Sequence, residues 1–359
     1  MHIYLLMIKK PRSIPLLAAL LLTLAGCGEK AVDNKTDATT PVVTAKKLTP
    51  EEKFADTRRK AEAGDAGAQR NLGLMYATGY GVAKDTAKAV EWYQKAAAQG
   101  YADAQTNLGL MYAKGEGVSK DAAKAVEWYQ KAAAQGYADA QTNLGLMYAK
   151  GEGVSKDAAK AMEWFQKAAA QGYEVAQYDL GLVYATGYGV PMDAAKAAEW
   201  YQKAAAQGYA DAQTNLGLMY AKGEGVPKDA AKAMEWYRLA AQQGDAKAQT
   251  NLGLMYGNGQ GVPQDHAEAV KLFRLAAQQG NAKAQYNLGL MYINGQGVPR
   301  DYVLAYMWES MAAAYTSDGE LQQLATSQRD LTVKHMTATQ ITEAKALARN
   351  CTANKFKGC

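Results

Sequence analysis

The chain has 359 residues, of which 40 are Lys or Arg and 35 are Asp or Glu, so its formal net charge at pH 7 is only +5. The basic residues are spread among acidic ones, which argues against a nucleic-acid-binding protein with a strongly basic surface. The chain has only 3 His, and none has a sequence neighbour that suggests a metal site or a catalytic triad. We therefore expect no enzyme activity, no metal and no cofactor.

The first segment in chain order is a predicted targeting signal. A basic stretch precedes the apolar residues 14–24, which match the core of a signal peptide in length and are too few to span a bilayer. The following LAGC, ending at Cys27, resembles the lipobox of bacterial lipoproteins. This resemblance implies that residues 1–26 are removed and Cys27 is lipidated. Gly28, in place of Asp, implies the outer membrane. The alternative is an ordinary secretion signal with a chance Cys.

The next two segments are a predicted tether and a capping helix. Residues 27–48 are polar and lack apolar periodicity, which is typical of a flexible linker. In residues 49–64, Thr49 with Glu52 forms a capping-box pattern and Pro50 stands at the first helical position. This helix aligns with the second half of the repeat described next, so we expect it to cover the first face of an array.

A 36-residue unit then repeats seven times over residues 65–316. A period of this length is the signature of a solenoid built from helical hairpins. The leucine of the recurring NLG (once DLG) triplet marks the register at Leu72, Leu108, Leu144, Leu180, Leu216, Leu252 and Leu288.

The unit from 101 to 136 predicts two helices, called helix A and helix B. The apolar residues of helix A recur at helical spacing from Ala104 to Tyr112, and Gly115 is suited to end it in the left-handed conformation. Asp121 stands where an N-cap belongs for helix B. Helix A begins with Asp65, Asp245 or Asn281 in three copies, but with Tyr in the other four, for which the sequence supplies no local reason.

The repeat resembles the Sel1-like repeat, a relative of the tetratricopeptide hairpin. The shared pattern is A-x-A-x-x-x-L-G-x-x-Y-x-x-G-x-G-V-x-x-D-x-x-K-A-x-x-W-Y-x-K-A-A-x-x-G. The resemblance implies an all-α, right-handed α-solenoid whose usual role is to scaffold or bind other proteins.

Residues 317–359 form a predicted C-terminal helical cap, because the last repeat carries extra apolar residues that need cover. Two helices are expected there, separated near Thr337, which forms a second capping box with Gln340. With Cys27 lipidated, an even pair of Cys remains, and we expect Cys351 and Cys359 to form a disulfide in an oxidising periplasm. The alternative is two free thiols.

A stripe on helix A is the candidate binding surface. At helical spacing, Asn107 and Leu110 lie on one side, away from Leu108. By resemblance to tetratricopeptide hairpins, this side lines a concave groove for peptides. Repeat four departs most from the others and could mark a specific contact. The candidate residues are Asn71, Asn107, Leu110, Asn143, Leu146, Tyr178, Asp179, Asn215, Leu218, Asn251 and Asn287. The alternative is that these Asn and Leu residues only pack the repeats together.

Two functions remain open from the sequence. The first is a non-catalytic scaffold, lipid-anchored through Cys27 in the bacterial envelope and facing the periplasm, that binds other envelope proteins or peptides. The second is an immunity or inhibitor lipoprotein that neutralises a toxic secreted enzyme, a role that the resemblance allows because some Sel1-repeat lipoproteins accompany phospholipase effectors. Neither function involves nucleic acid.

Overall fold

The structure is a computed structural model that describes residues 48–356 and 358–359. The predicted signal segment, Cys27 and residues 27–47 of the predicted tether lie outside the described residues. Within the described part of the chain, the regular structure consists of seventeen α-helices and one short 3-10 helix, with no strand. The all-α prediction is therefore confirmed.

Fourteen of these helices form the seven predicted hairpins. The A helices are α2 (Ala66–Thr78), α4 (Ala102–Lys114), α6 (Ala138–Lys150), α8 (Glu174–Thr186), α10 (Ala210–Lys222), α12 (Ala246–Asn258) and α14 (Ala282–Asn294). The B helices are α3 (Thr86–Ala98), α5 (Ala122–Ala134), α7 (Ala158–Ala170), α9 (Ala194–Ala206), α11 (Ala230–Gln242), α13 (His266–Ala277) and α15 (Tyr302–Tyr315). Each helix packs on the helix before it and the helix after it, which is the arrangement of a solenoid.

The local capping predictions are confirmed. Asp121 accepts a hydrogen bond from the backbone N–H of Lys124 at 3.0 Å, and Gly115 ends α4 with φ of 73° in the left-handed region. Asp65, Asp245 and Asn281 cap their A helices in the same manner as Asp121. These bonds satisfy amides that the first turn of a helix leaves without a partner.

A glycine in each A helix permits the close packing of its hairpin. In α4 this residue is Gly109, where a Cβ atom would lie 2.7 Å from Cε1 of the Tyr129 ring on α5. Tyr129 is only 2% exposed, so the ring lies directly against the backbone of the A helix. The leucine before it, Leu108, is fully buried, and together they explain why the Leu-Gly pair recurs.

A ladder of glutamines joins successive repeats. Gln105 on α4 donates to the Ala97 carbonyl of the preceding B helix at 3.2 Å and accepts from Gln135 at the end of α5 at 2.8 Å. The same pair recurs in the five other copies that carry both glutamines. The seventh repeat has Tyr315 where the second glutamine would stand, and Oε1 of the fully buried Gln285 has no hydrogen-bond partner.

Helices outside the array cover its two ends. At the N-terminal end, α1 (Pro50–Glu62) begins with the predicted capping box of Thr49 and Glu52 and packs on α2. At the C-terminal end, α16 (Gly319–Thr332), a 3-10 turn (Val333–His335) and α17 (Ala338–Ala353) pack on α15. The capping box of Thr337 and Gln340 is present in α17.

A disulfide closes the C-terminal end. Cys351 and Cys359 are bonded, with their Cα atoms 5.6 Å apart. Both contact the core of the last two repeats, which includes the fully buried Ala277 and the almost fully buried Trp308. The bond therefore holds the chain end against the array.

Candidate functional site

The predicted stripe is a row on the A helices that is not fully covered by neighbouring repeats. We call it the A face and define it by the residue before each register leucine, from Asn71 to Asn287. Asn71 is exposed, and the six equivalent residues in the other repeats are half-buried. Leu110 and Leu146 are also half-buried, and Leu218 is 37% exposed. The A face therefore offers both polar and apolar groups to a partner.

Most of the asparagines on the A face also make contacts within the chain. Asn107 donates to the Asp103 carboxylate at 3.0 Å, and Asn287 donates to the Lys283 carbonyl at 2.7 Å.

Three other asparagines bond to larger side chains. Asn71 accepts a hydrogen bond from its neighbour Arg70 at 3.0 Å. Asn215 and Asn251 are hydrogen-bonded to the phenols of Tyr201 and Tyr237, one on each preceding B helix. These amides thus help to join the repeats, and their role in binding stays a prediction.

The tyrosines that begin four A helices belong to the same surface. Tyr101, Tyr137, Tyr173 and Tyr209 make no side-chain capping bond. Instead, the Tyr173 hydroxyl donates a hydrogen bond to Asp139 on the preceding A helix. Sequence reasoning missed this role because the two residues are 34 positions apart. The recurrence of Tyr opposite an Asp one repeat earlier was the available signal.

Repeat four replaces the usual polar pair of the A face with Tyr178 and Asp179. The Tyr178 ring packs against Tyr209, with ring centroids 5.1 Å apart, and against Tyr201 at 5.7 Å. Asp179 is partly covered, and its Oδ2 atom is buried without a hydrogen-bond partner. Burial raises the pKa of Asp179 to about 7, and the positive charge of Lys150 opposes that rise. Because burial disfavours the charged form of a carboxyl, Asp179 holds its proton more readily than an exposed aspartate does, and Lys150 offsets only part of that effect.

The charge on the A face changes sign along the array. The position near the start of the A helix is Asp103, Asp139 and Asp211 in repeats two, three and five, but Lys247 and Lys283 in repeats six and seven. The acidic part is also the part that carries the tyrosines. A partner would therefore meet an acidic, aromatic surface over the first repeats and a basic one near the C-terminal end.

The lysines of the B helices have partners within their own helices or hairpins. Lys131 lies over the Trp128 ring with its Nζ atom 4.1 Å from the ring centroid, and Lys124 lies over Tyr112 at 5.5 Å. The same Lys–Trp arrangement is found in repeats one, three and four. These cation–π contacts occupy lysines that could otherwise form a basic patch.

The described residues contain no group of His, Cys, Asp and Glu that could hold a metal ion. Over the same residues, no helix combines the length and the apolar character needed to cross a bilayer.

Seven stacked hairpins with one continuous polar and aromatic face define a helical-repeat protein of the solenoid class. A family model described as Sel1 repeat matches residues 66–101, 102–137, 138–173, 175–209, 210–245, 246–281 and 282–314. The chain belongs to the Sel1 repeat family, whose members typically serve protein–protein interaction. A search of curated proteins gave no match.

Solved structures show the same relationship. A Sel1 repeat protein from Oxalobacter formigenes is 39% identical, with a TM-score of 0.60 over 77% of this chain and 80% of that chain. The protective antigen c5321 from uropathogenic Escherichia coli is 32% identical, with a TM-score of 0.41 over 86% of this chain and 81% of that chain. The immunity protein Pa5087 from Pseudomonas aeruginosa is 27% identical, with a TM-score of 0.39 over 64% and 81%. The first of these supports the shared fold.

Proposed function

We propose that the protein is a non-catalytic scaffold, lipid-anchored through Cys27 in the bacterial envelope on the periplasmic side of the outer membrane, that binds protein segments along the A face. The observation that carries this proposal is the A face itself. It runs through all seven repeats and keeps part of its polar and apolar surface uncovered. Extended segments bind well to such surfaces because amides and carboxylates can pair with a backbone while leucines add apolar area.

The anchor is supported by the sequence alone, through the lipobox that ends at Cys27. It is tested by metabolic labelling with a fatty-acid analogue. The full chain should incorporate the label and the Cys27→Ser variant should not. Equal labelling of both proteins would contradict the anchor without bearing on the A face.

The binding surface is tested with a matched pair of variants in repeat five. Leu218 on the A face is 37% exposed and Leu239 on α11 is 45% exposed, so both tolerate a polar side chain. We expect Leu218→Asp to reduce partner capture from crosslinked envelopes by about thirtyfold, which corresponds to an interface hot spot of about 2 kcal/mol. Leu239→Asp should leave capture unchanged, and both should keep the helical circular-dichroism signal. If only Leu239→Asp reduced partner capture, the binding surface would instead lie on the B helices.

The same capture separates the scaffold from the immunity role. Several envelope proteins recovered with the anchored chain, and lost with Cys27→Ser, would support the scaffold. One enzyme recovered in stoichiometric amount with both forms would instead assign the protein as an inhibitor of that enzyme.

A further inference from the structure

The chain itself places an arginine on the acidic part of the A face. Arg70 on α2 forms an ion pair with Asp103 on α4, and both side chains are only about one-fifth exposed. Tyr93, on the B helix of the first repeat, lies close enough that both charges act on its pKa. The same two charges also act on the pKa of Tyr137, at the start of α6. The Arg70 guanidinium therefore lies beside the Asp103 carboxylate and near these two tyrosines.

One repeat further on, the same arrangement recurs without the arginine. Asp139 stands one period after Asp103. Burial, and secondly the charge of Asp139, raises the pKa values of Tyr129 and Tyr173, which are the period equivalents of the two tyrosines above. Thr106 occupies the position of the arginine, and its hydroxyl donates to a carbonyl of its own helix. Among the described residues, no Lys or Arg forms an ion pair with Asp139, and the Tyr173 hydroxyl donates to one of its oxygens.

The surroundings of Asp139 favour a positive charge. Burial raises the pKa of this carboxyl, the Tyr173 hydrogen bond lowers it, and the nearby acids Asp103 and Glu174 raise it further. A cation bound here would offset the free-energy cost of burying the Asp139 carboxylate, and it would reduce the repulsion between the acids. On the next A helix, the buried Oδ2 atom of Asp179 also has no hydrogen-bond partner. The middle of the A face thus contains two partly buried carboxyl groups whose charged form a nearby cation would stabilise.

We propose that Asp139, with Tyr173 beside it, receives the guanidinium group of an arginine in an extended segment of the protein partner. The ion pair in the first repeats is the internal precedent, because it shows that this arrangement accommodates a guanidinium. Arginine suits the site better than lysine, since its planar group can bond a carboxylate and stack on an aromatic ring at the same time. The proposal rests on the A face being the binding surface, and it adds that the partner segment is basic.

The test uses the full chain and a fluorescein-labelled peptide of Gly and Ser residues with one central Arg, followed by anisotropy at low ionic strength. Versions of the peptide with Lys or Gln at the centre serve as comparison. We expect the Arg peptide to bind at least about tenfold more tightly than the Gln peptide, with the Lys peptide between them. Asp139→Asn should remove this preference.

Two substitutions of Thr106 supply a sharper comparison. Thr106→Arg gives Asp139 an arginine from the chain itself, as Arg70 does one repeat earlier, and should abolish binding of the Arg peptide. Thr106→Gln is the matched control, because it places a long polar side chain at the same position without a positive charge. This variant should bind the peptide as the unmodified chain does.

The outcomes separate this inference from the proposed function. Equal binding of the Arg and Gln peptides, or unchanged Arg-peptide binding by both Thr106→Arg and Asp139→Asn, would overturn the arginine site. If envelope capture still depended on Leu218 in that case, the scaffold proposal would stand with a partner of different chemistry. Loss of capture with Thr106→Arg but not with Thr106→Gln would extend the site to the natural partner.

Discussion

Replacing Gly109 with Ala tests the account of hairpin packing most directly. A Cβ atom there would lie 2.7 and 2.8 Å from two carbons of the Tyr129 ring and 3.2 Å from the Ala125 carbonyl oxygen. Carbon atoms in favourable contact are about 3.5 to 4.0 Å apart, so the ring would have to move by roughly 1 Å. Tyr129 is 2% exposed and has little free space into which it can move.

The expected magnitude combines two opposing effects. Overpacking of a core by one methyl group typically destabilises by about 1 to 3 kcal/mol, whereas Ala in place of Gly favours the helix by up to about 1 kcal/mol. The middle of the first range less the second effect leaves about 1 kcal/mol, so we expect Gly109→Ala to lower the free energy of unfolding by about that amount. Gly257→Ala is the matched control, since the nearest atom to its Cβ would be Cβ of Ala269 at an ordinary 3.7 Å. That variant should gain about 0.5 to 1 kcal/mol.

The assay is urea unfolding followed by the helical circular-dichroism signal, with midpoints compared among the three proteins. Because each repeat contacts only its neighbours, the loss in Gly109→Ala should also broaden the transition as repeat two separates from the others. A midpoint for Gly109→Ala equal to or above that of the unmodified chain would refute the proposed contact between backbone and ring.

Two further predictions concern buried polar groups. Burial raises the pKa of Glu309 from the usual 4.5 to about 7, so the folded protein binds the Glu309 proton more tightly than the unfolded chain does. The resulting contribution to stability is complete below pH 4.5 and is lost as the pH rises through about 7. Glu309→Gln should therefore show a smaller decrease in urea midpoint between about pH 5 and about pH 8, and an equal decrease in both proteins would contradict this. Gln135→Ala should destabilise the protein by about 1 to 3 kcal/mol in the same assay, because it leaves the buried Gln105 oxygen without its donor. The exposed control Gln130→Ala should change the stability little. Equal effects of the two substitutions would argue against the glutamine ladder.

Much of the fold could be predicted from the sequence because its determinants are local. The capping role of Asp121, the left-handed Gly115 and the two capping boxes depend on residues within a few positions of one another. Because the unit repeats with a period of 36 residues, the correct prediction of one hairpin applied to all seven. The predicted boundary of the C-terminal helices near Thr337 rests on the same kind of short-range pattern.

The candidate site was only partly predictable. Helical spacing placed Asn107 and Leu110 on a common face, but it could not tell that Asn215, the equivalent of Asn107 in repeat five, bonds to Tyr201 on another helix. The spacing identifies the side of a helix on which a residue lies. It does not identify the neighbour that covers that side.

The sequence by itself therefore determined the hairpin, its caps and the number of repeats, since each is decided by contacts within one helix or one turn. Only the tertiary structure decided how the two helices of a hairpin are tied together, through the Gln105–Gln135 bond, and what the initiating tyrosines do, through the Tyr173–Asp139 bond. These contacts link residues 30 and 34 positions apart. Their existence depends on the angle and distance at which neighbouring helices pack, and no periodicity in a single helix contains that information.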